Sequence, residues 1–311
     1  MKITVNFRIF AVLSFAFMLI HSASAQADEL YFIDAHSQVD HTVVPLSTII
    51  SRMEQGGVTH TILSARGKLQ GKAFLKFVEK HSDRITPAVR TKGNPYDSGS
   101  PKYYKALKAQ VASGKYSAIA EILLYHAQKG MKAPEVEVYP DDKRVLAALS
   151  CAIENRWPFV IHIEFASLHG EKKKRFMESM ERMLDSHPEQ PFVLTHMGQL
   201  EPDECRSLIK SHRNVYFHTG WSNPAAVRSS NQPWINLFED NQLAPQWKDL
   251  FIQYPDRFIF ALDNVFEEHW ASFYLEQMSY WKKALAGLPG EVAHRIAHGN
   301  AECLWRITQK K

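Results

Sequence analysis

Short apolar runs alternate with longer segments of helical periodicity along nearly the whole chain. Eight runs predict strands, at 31–33 (followed by a polar cluster up to residue 38), 58–63, 85–89, 118–122, 159–163, 192–196, 215–217 and 258–262. Helices are predicted between them, at 46–55, 72–81, 103–112, 141–155, 172–186, 202–211, 246–253 and 267–286, with two short ones at the end. Runs that are apolar on both faces are typical of parallel strands covered by helices. This order predicts an α/β fold, a (β/α)8 TIM barrel with extra C-terminal helices; a doubly wound sheet is the alternative.

The first 25 residues have the pattern of a signal peptide. The basic residues Lys2 and Arg8 precede an apolar stretch at 9–20. Small residues at 23–25 then predict cleavage near Ala25. The stretch is shorter than the roughly 20 apolar residues of a spanning helix. We therefore expect export, to the periplasm or outside the cell. No linker divides the remainder, so residues 26–311 are expected to form a single barrel domain.

The mature chain carries little net charge. Removal of Lys2 and Arg8, the only charged residues of the first 25, lowers the formal net charge from +4 to +2. The basic cluster at 171–175 is typical of a solvated helix start. We expect a small-molecule substrate, no nucleic-acid partner and no stable membrane insertion of the mature chain. The long helix near the C-terminus is compatible with a homodimer.

The three cysteines, Cys151, Cys205 and Cys303, lie far apart in predicted helices and lack C-x-x-C spacing. This pattern favours buried free thiols over a disulfide or a metal site.

Polar residues that suit metal chemistry occur where the predicted strands end. They are His36, Glu121, His162, His196, His218 and Asp263. The carboxyl ends of all strands of a TIM barrel meet at one mouth. A single histidine there is more often a hydrogen-bonded core residue, but imidazoles and carboxylates that converge suit a divalent cation such as Zn²⁺.

Six short motifs, in this order, carry a resemblance to a known family. They lie at 33–36, 160–162, 194–198, 214–216, 257–263 and 296–301. Each is weak alone, but the ordered set spans nearly all of the mature chain. In it the chain resembles the amidohydrolase superfamily, specifically its amidohydrolase-related (amidohydrolase 2) branch of TIM-barrel metal-dependent hydrolases.

The resemblance implies roles for particular residues. His36, His162 and Asp263 correspond to metal ligands of the family, and Asp263 also to the group that takes a proton from a metal-activated water. His196 corresponds to a residue that polarises the substrate or assists proton transfer. Glu121 stands where related proteins place a metal-bridging carboxylate; a buried ion pair is an equally open interpretation.

One position departs from the family. Gln38 replaces the second histidine of the metal-binding His-x-His pair. A carboxamide oxygen is a poor Zn²⁺ ligand beside an imidazole, although strand alternation places residues 36 and 38 on the same face. Two alternatives follow: weak metal binding that Glu121 or water completes, or no metal at all.

Other residues near the predicted mouth have less specific interpretations. Trp221, Trp234 and Trp270 either line a substrate pocket or cover the barrel wall. Arg66 and Lys92, which follow strands two and three, are candidates to meet a substrate carboxylate. His218 is expected to bond a backbone carbonyl rather than to bind metal.

The sequence thus predicts a metal-dependent hydrolase of a small-molecule amide, ester or lactone. The resemblance leaves open a non-oxidative decarboxylase of an aromatic acid. Gln38 leaves open a metal-free binding protein on the same barrel.

Overall fold

A computed structural model describes residues 30–40, 44–66, 71–128, 134–230 and 232–308. The predicted signal peptide lies outside these residues. The strands are β1 (Phe32–Val39), β2 (Val58–Ala65), β3 (Ile85–Val89), β4 (Ala118–Ile119), β5 (Ile122–His126), β6 (Val136–Glu137), β7 (Phe159–Ile163), β8 (Phe192–Leu194), β9 (Val215–His218), β10 (Phe238–Glu239), β11 (Gln242–Leu243) and β12 (Phe258–Ile259).

The helices alternate with these strands around the outside of the molecule. They are α1 (Leu46–Gly56), α2 (Gly71–Lys80), α3 (Asn94–Asp97), α4 (Pro101–Ala112), α5 (Lys143–Asn155), α6 (Gly170–Ser186), α7 (Pro202–Ser211), α8 (Pro224–Arg228), α9 (Pro245–Gln253), α10 (Ser272–Ala286), α11 (Gly290–His294) and α12 (Asn300–Trp305). Among the described residues, none of these helices is both long and apolar enough to cross a membrane.

Two parallel sheets together form the barrel wall. One has the order β1-β2-β3-β4, and the other β12-β9-β8-β7-β5 with the antiparallel β6 at its edge. Backbone hydrogen bonds join β1 to the segment around β12, from Ala35 to the Phe260 carbonyl at 3.1 Å and from Asp263 to the His36 carbonyl at 2.8 Å. The predicted (β/α)8 barrel with additional C-terminal helices is confirmed.

The fourth barrel strand is not continuous, contrary to the prediction at 118–122. It breaks at Ala120 and Glu121, so that β4 pairs with β3 and β5 pairs with β7. Glu121 therefore lies in the break rather than in the last residues of a strand. Side chains at such irregularities are freed from strict alternation.

The sixth and eighth strands are also shorter than predicted. Residues 195–199 form a tight turn in which His196 has a left-handed φ of 53°. Asp263, beyond β12, has a φ of 52°. Non-glycine residues rarely adopt this region, and such conformations cluster at functional sites.

The segment before the last long helix differs from the prediction as well. Residues 267–270 form a separate 3₁₀ turn, so α10 begins only at Ser272. The predicted excursion after strand seven contains α8 and the β10–β11 hairpin.

The core has an inner and an outer part. Small and branched residues fill the barrel interior, among them Ile33, Ala35, Val193 and Ala261, and Trp305 of α12 joins them. The larger outer cluster lies between the strands and the helices. The β1–β2 pairing is irregular between Asp34 and Ser37. In a regular strand, consecutive side chains face opposite sides, so His36 would point away from the interior that Ala35 faces. The irregular pairing allows His36 to reach the site as well.

The cysteines do lie in helices α5, α7 and α12, and all three are free. The expectation that they are buried holds for Cys205 alone, because Cys151 is half-buried and Cys303 is exposed.

Candidate metal centre

The structure brings every polar residue predicted at the strand ends into one cluster, and Gln38 joins them. The cluster consists of His36, Gln38, Glu121, His162, His196, His218 and Asp263, and each is at most 4% exposed. They come from the ends of six barrel strands, as the carboxyl-end rule for TIM barrels requires. The histidines therefore converge at one mouth, which fits the barrel and not the alternative of a doubly wound sheet.

His36, Glu121 and Asp263 form one group of possible metal ligands. Nε2 of His36 lies 3.4 Å from Oδ1 of Asp263 and 3.6 Å from Oε1 of Glu121, and it makes no hydrogen bond to the part of the chain that the structure describes. Ligand atoms about 2.1 Å from a tetrahedral Zn²⁺ lie about 3.4 Å apart. An unpartnered buried nitrogen at this spacing from two carboxylates fits a divalent cation.

Glu121, His162 and His196 form a second group, which shares Glu121 with the first. Nδ1 of His162 lies 2.9 Å from Oε2 of Glu121, and its Nε2 lies 3.1 Å from Oε1 of Glu164. The carboxylate of Glu164 also accepts a hydrogen bond from the backbone of Ala127 at 2.7 Å. Glu164 thus orients the ring from the far side, as outer carboxylates do for ligating histidines.

His196 presents an unprotonated nitrogen to the site. Its Nδ1 donates to the carbonyl of Gly220 at 3.0 Å, which leaves Nε2 as an acceptor. That Nε2 lies 3.4 Å from Oδ2 of Asp263, itself an acceptor. Two acceptors at this distance repel each other unless a cation or a proton lies between them. This contact is therefore a second observation that fits a bound metal ion.

Gln38 and Lys92 contact carboxylates of the same cluster: Gln38 contacts Glu121 and Asp263, and Lys92 contacts Glu121. Nε2 of Gln38 donates to Oε1 of Glu121 at 3.0 Å and to Oδ1 of Asp263 at 3.3 Å. The ammonium of Lys92 also contacts Oε1 of Glu121. Lys92 therefore pairs with the site carboxylate. In this arrangement Gln38 is a donor, and only its carbonyl oxygen, after rotation of the amide, offers a ligand atom.

The cluster strongly perturbs its ionisable groups. Burial opposes the charged form of Glu121, but Lys92 and His162 outweigh it and hold its pKa well below the ordinary value. Burial and then the charge of Glu121 raise the pKa of Asp263. Burial lowers the pKa of His196 far below the ordinary value, so this ring is neutral. A proton acceptor with a raised pKa beside a neutral imidazole suits acid–base chemistry.

His218 is inside the cluster, with its ring beside those of His36 and His196. Its Nδ1 accepts a hydrogen bond from the backbone N–H of Gly220 at 3.3 Å. Its ring stacks on His36 with a centroid distance of 5.4 Å and meets His196 edge-on at 5.8 Å.

A carboxylate outside the cluster fixes the backbone on which His36 and Asp263 stand. Asp34 accepts hydrogen bonds from the hydroxyl of Ser37 at 2.6 Å and from the backbone of Leu262 at 2.9 Å. It therefore ties the first strand to the segment after the last. The sequence pattern gives no role to Ser37 or Glu164. Only the position of Glu164, two residues after His162, hinted at a shared function.

A cavity of about 340 Å³ opens beside the cluster, above β2, β3 and β5. Its lining includes Gln38, Arg66, Arg90, Lys92 and His126. Burial and then the charge of Arg66 lower the pKa of Arg90, and the charge of Asp40 opposes this shift. The lining also includes Asp97, so basic side chains outnumber acidic ones there, which favours an anionic ligand.

The three tryptophans cover the opposite side. Trp221 stacks on Trp234 at 5.4 Å, and Trp234 meets His196 edge-on at 5.0 Å. Trp221 donates to the backbone carbonyl of Asp263, and the fully buried Trp270 donates to that of Gln38, both at 3.0 Å. Trp270 therefore belongs to the barrel wall, while Trp221 and Trp234 shield His196.

Solved structures with similar folds share little sequence with this chain. An uncharacterized TIM-barrel protein from Bordetella bronchiseptica is 14% identical, with a TM-score of 0.60 over 89% of this chain and 99% of its own. A probable 2-pyrone-4,6-dicarboxylic acid hydrolase from Acinetobacter baumannii, with citric acid bound, is 11% identical, and an amidohydrolase from Burkholderia multivorans, with bound zinc, is 13% identical. Each of these two has a TM-score of 0.52 and covers 89% of this chain and 100% of its own.

No functionally curated protein in the comparison matches the sequence significantly. The family model described as Amidohydrolase matches residues 127–307, more than half of the 311 residues. The matched segment contains His162, His196 and Asp263 of the cluster. The chain therefore belongs to the amidohydrolase family, in its amidohydrolase-related branch, and is an amidohydrolase-like enzyme.

Proposed function

We propose that this protein is a metal-dependent hydrolase of an amide, ester or lactone in a small molecule that carries a carboxylate. The observation that carries the proposal is the unpartnered Nε2 of His36, 3.4 Å from Oδ1 of Asp263 and 3.6 Å from Oε1 of Glu121. Nitrogen and carboxylate ligands of this kind suit zinc.

The cation would be held by His36, His162, Glu121 and Asp263, with Gln38 at the edge of the site. When bound, a divalent cation supplies a water of lowered pKa and polarises the carbonyl that this water attacks. Glu121 belongs to both groups of ligands and so connects them.

The protein's own groups handle the protons. Asp263, whose pKa is raised by burial, accepts a proton and can return it to the leaving group. Nδ1 of His196 donates to the Gly220 carbonyl, which leaves its Nε2 unprotonated. This Nε2 lies 3.4 Å from Oδ2 of Asp263 and can accept the proton that Asp263 takes up. Trp221 and Trp234 limit access of bulk water to this side of the site, which strengthens electrostatic interactions there.

The cavity beside the site supports a substrate carboxylate. Arg66 and Arg90 both line it, and guanidinium groups bind carboxylates through paired, charge-assisted hydrogen bonds. The hydrolase from Acinetobacter baumannii is named for a dicarboxylic acid and binds citric acid. Lys92, occupied by Glu121, is left to tune the site rather than to bind the substrate.

The remaining features of the proposal come from the sequence. We place the mature chain outside the cytoplasm, in the periplasm or secreted, because of the pattern that ends near Ala25. Residues 26–311 then constitute the functional barrel.

A metal-free binding protein is the second candidate, and one observation favours it. Gln38 and Lys92 both donate to Oε1 of Glu121, so part of the negative charge is already neutralised without a metal ion. Such a protein would bind the same anions in the cavity but catalyse nothing.

The test is a substrate screen with the mature chain loaded with zinc. Carboxylate-bearing lactones, esters and amides are compared with neutral analogues of the same rings, and aromatic acids are included with CO₂ as the readout. We expect hydrolysis of the acids, lost in Asp263→Asn. Arg66→Met should raise KM about tenfold or more for the acids alone, since a charged hydrogen bond contributes about 1.5–3 kcal/mol. Arg228→Met, which removes a surface pair with Glu276, is the control.

Release of CO₂ from an aromatic acid, without hydrolysis of any ring or ester, would replace the hydrolase with a decarboxylase. Binding of the acids without turnover by the zinc-loaded protein would favour the second candidate.

A further inference from the structure

Gly220 makes hydrogen bonds to two site histidines through opposite groups. Its carbonyl accepts from Nδ1 of His196 at 3.0 Å, and its N–H donates to Nδ1 of His218 at 3.3 Å. A neutral imidazole carries one proton, so each bond determines which nitrogen carries it. His196 is protonated at Nδ1 and bare at Nε2, whereas His218 is bare at Nδ1 and protonated at Nε2.

The protonated Nε2 of His218 has no hydrogen-bond partner among the described residues. The residue is 1% exposed and lies between the rings of His36 and His196. Leaving a buried donor unpaired is costly, and such a group in a native site calls for an absent partner. Because the group is a donor, that partner is an oxygen or another acceptor rather than a cation.

The close approach of Gly220 is specific to glycine. A Cβ at this position would lie 3.1 Å from Cε1 of His218 and 3.1 Å from Cβ of Asp263. Gly220 can therefore reach both rings, and so determine both tautomers, because it has no side chain.

We propose that His218 is a neutral hydrogen-bond donor that contacts the carbonyl oxygen of the bound substrate through Nε2–H. His196, with the opposite tautomer, offers only a lone pair at Nε2, which faces Oδ2 of the proposed ligand Asp263. The role of polarising the substrate thereby passes from His196 to His218. A neutral donor can stabilise negative charge on the substrate oxygen without adding a positive charge that would repel the cation. The contact with a substrate carbonyl rests on the proposed hydrolase function. The two tautomers do not, because they follow from the hydrogen bonds of Gly220.

The tautomers are measured directly by long-range ¹H–¹⁵N NMR of protein labelled with ¹⁵N-histidine. His218→Gln and His196→Gln assign the two sets of signals. We expect Nε2–H in His218 and Nδ1–H in His196, in both the metal-free and the zinc-loaded protein. An Nδ1–H tautomer or a doubly protonated ring at position 218 would overturn the proposal whatever the enzyme's activity.

Zinc titration separates a donor from a ligand. His218→Phe should leave zinc stoichiometry and affinity nearly unchanged, whereas His196→Phe should weaken zinc binding about tenfold or more. Equal loss in the two variants would make His218 a ligand and contradict the proposal. Absence of zinc from the unmodified protein would instead defeat the proposed function, and the NMR result would still decide the tautomers.

Kinetics with the substrate found by the screen provide the third readout. Loss of one donor to a developing oxyanion typically lowers kcat about 100-fold or more. We expect this in His218→Phe and His218→Asn, with little change in KM. His218→Gln, whose amide nitrogen matches the place of Nε2, should recover part of kcat. Equal kcat in the Gln and Asn variants would argue against donation from Nε2.

Discussion

Gln38 donates a hydrogen bond to Oδ1 of Asp263 at 3.3 Å, across the seam between the first and last strands of the barrel. The residue that replaces the family's second strand-one histidine is thus in contact with the proposed metal site. As a donor, its amide satisfies oxygen atoms that an incoming cation would otherwise use.

Gln38→His should therefore strengthen metal binding. An imidazole is the better zinc ligand, and its introduction removes the competing hydrogen bond to Glu121. We expect the zinc dissociation constant to fall about tenfold or more, measured by competition with a chelating dye. Gln38→Leu, which removes the donor without adding a ligand, is the matched control. Equal affinity in all three proteins would show that position 38 does not face the cation.

Gly220→Ala should damage the site while leaving the barrel folded. The added Cβ would lie 3.1 Å from Cβ of Asp263 and from Cε1 of His218, so at least one of these groups must move. We expect weaker zinc binding and lower kcat, with a nearly unchanged circular dichroism spectrum.

The control for this substitution is Gly290→Ala at the start of α11, where a Cβ meets nothing within 4 Å. Normal zinc affinity in Gly220→Ala would mean that the site tolerates the shift and does not depend on this close approach.

His60 should make the protein less stable at acidic pH. It lies in β2, its Nδ1 bonds the carbonyl of Asp83 at 3.2 Å, and its Nε2 contacts Thr86 at 2.7 Å. Burial lowers its pKa from 6.5 to about 4. The unfolded chain therefore binds the proton first, and stability falls as the pH drops from 6.5 towards 4.

Between pH 7 and pH 5 this residue should account for about 2 kcal/mol of the lost free energy of unfolding. Urea denaturation of the unmodified protein and of His60→Gln at both pH values measures the difference. Identical pH dependence in the two proteins would contradict the assignment.

The sequence sufficed to predict the barrel and to name side chains that meet at its mouth, because strand ends in this topology converge there. His36, His162, His196 and Asp263 could be named from their positions after apolar runs alone. The distances among them follow from closure of the barrel, which residue periodicity already implied.

The finer features depend on side-chain orientation and local backbone irregularity, which periodicity does not encode. The left-handed turn at His196, with a φ of 53°, is set by tertiary contacts rather than by local preference. The opposite tautomers of His196 and His218 depend on a single peptide, that of Gly220. Glu121, which Lys92 contacts, lies in the break of the fourth strand. The pattern of apolar residues does not predict this break.

The metal content of the mature protein, purified without chelator, tests the central claim most directly. We expect about one zinc ion per chain, lost in His36→Ala and retained in His169→Ala, whose exposed histidine lies at the start of α6. The loss in His36→Ala follows because Nε2 of His36, which has no hydrogen bond among the described residues, lies within 3.6 Å of both Asp263 and Glu121. If the unmodified protein binds neither Zn²⁺ nor Mn²⁺, even after incubation with either ion, the metal-dependent mechanism is wrong and Gln38 and Lys92 have replaced the cation.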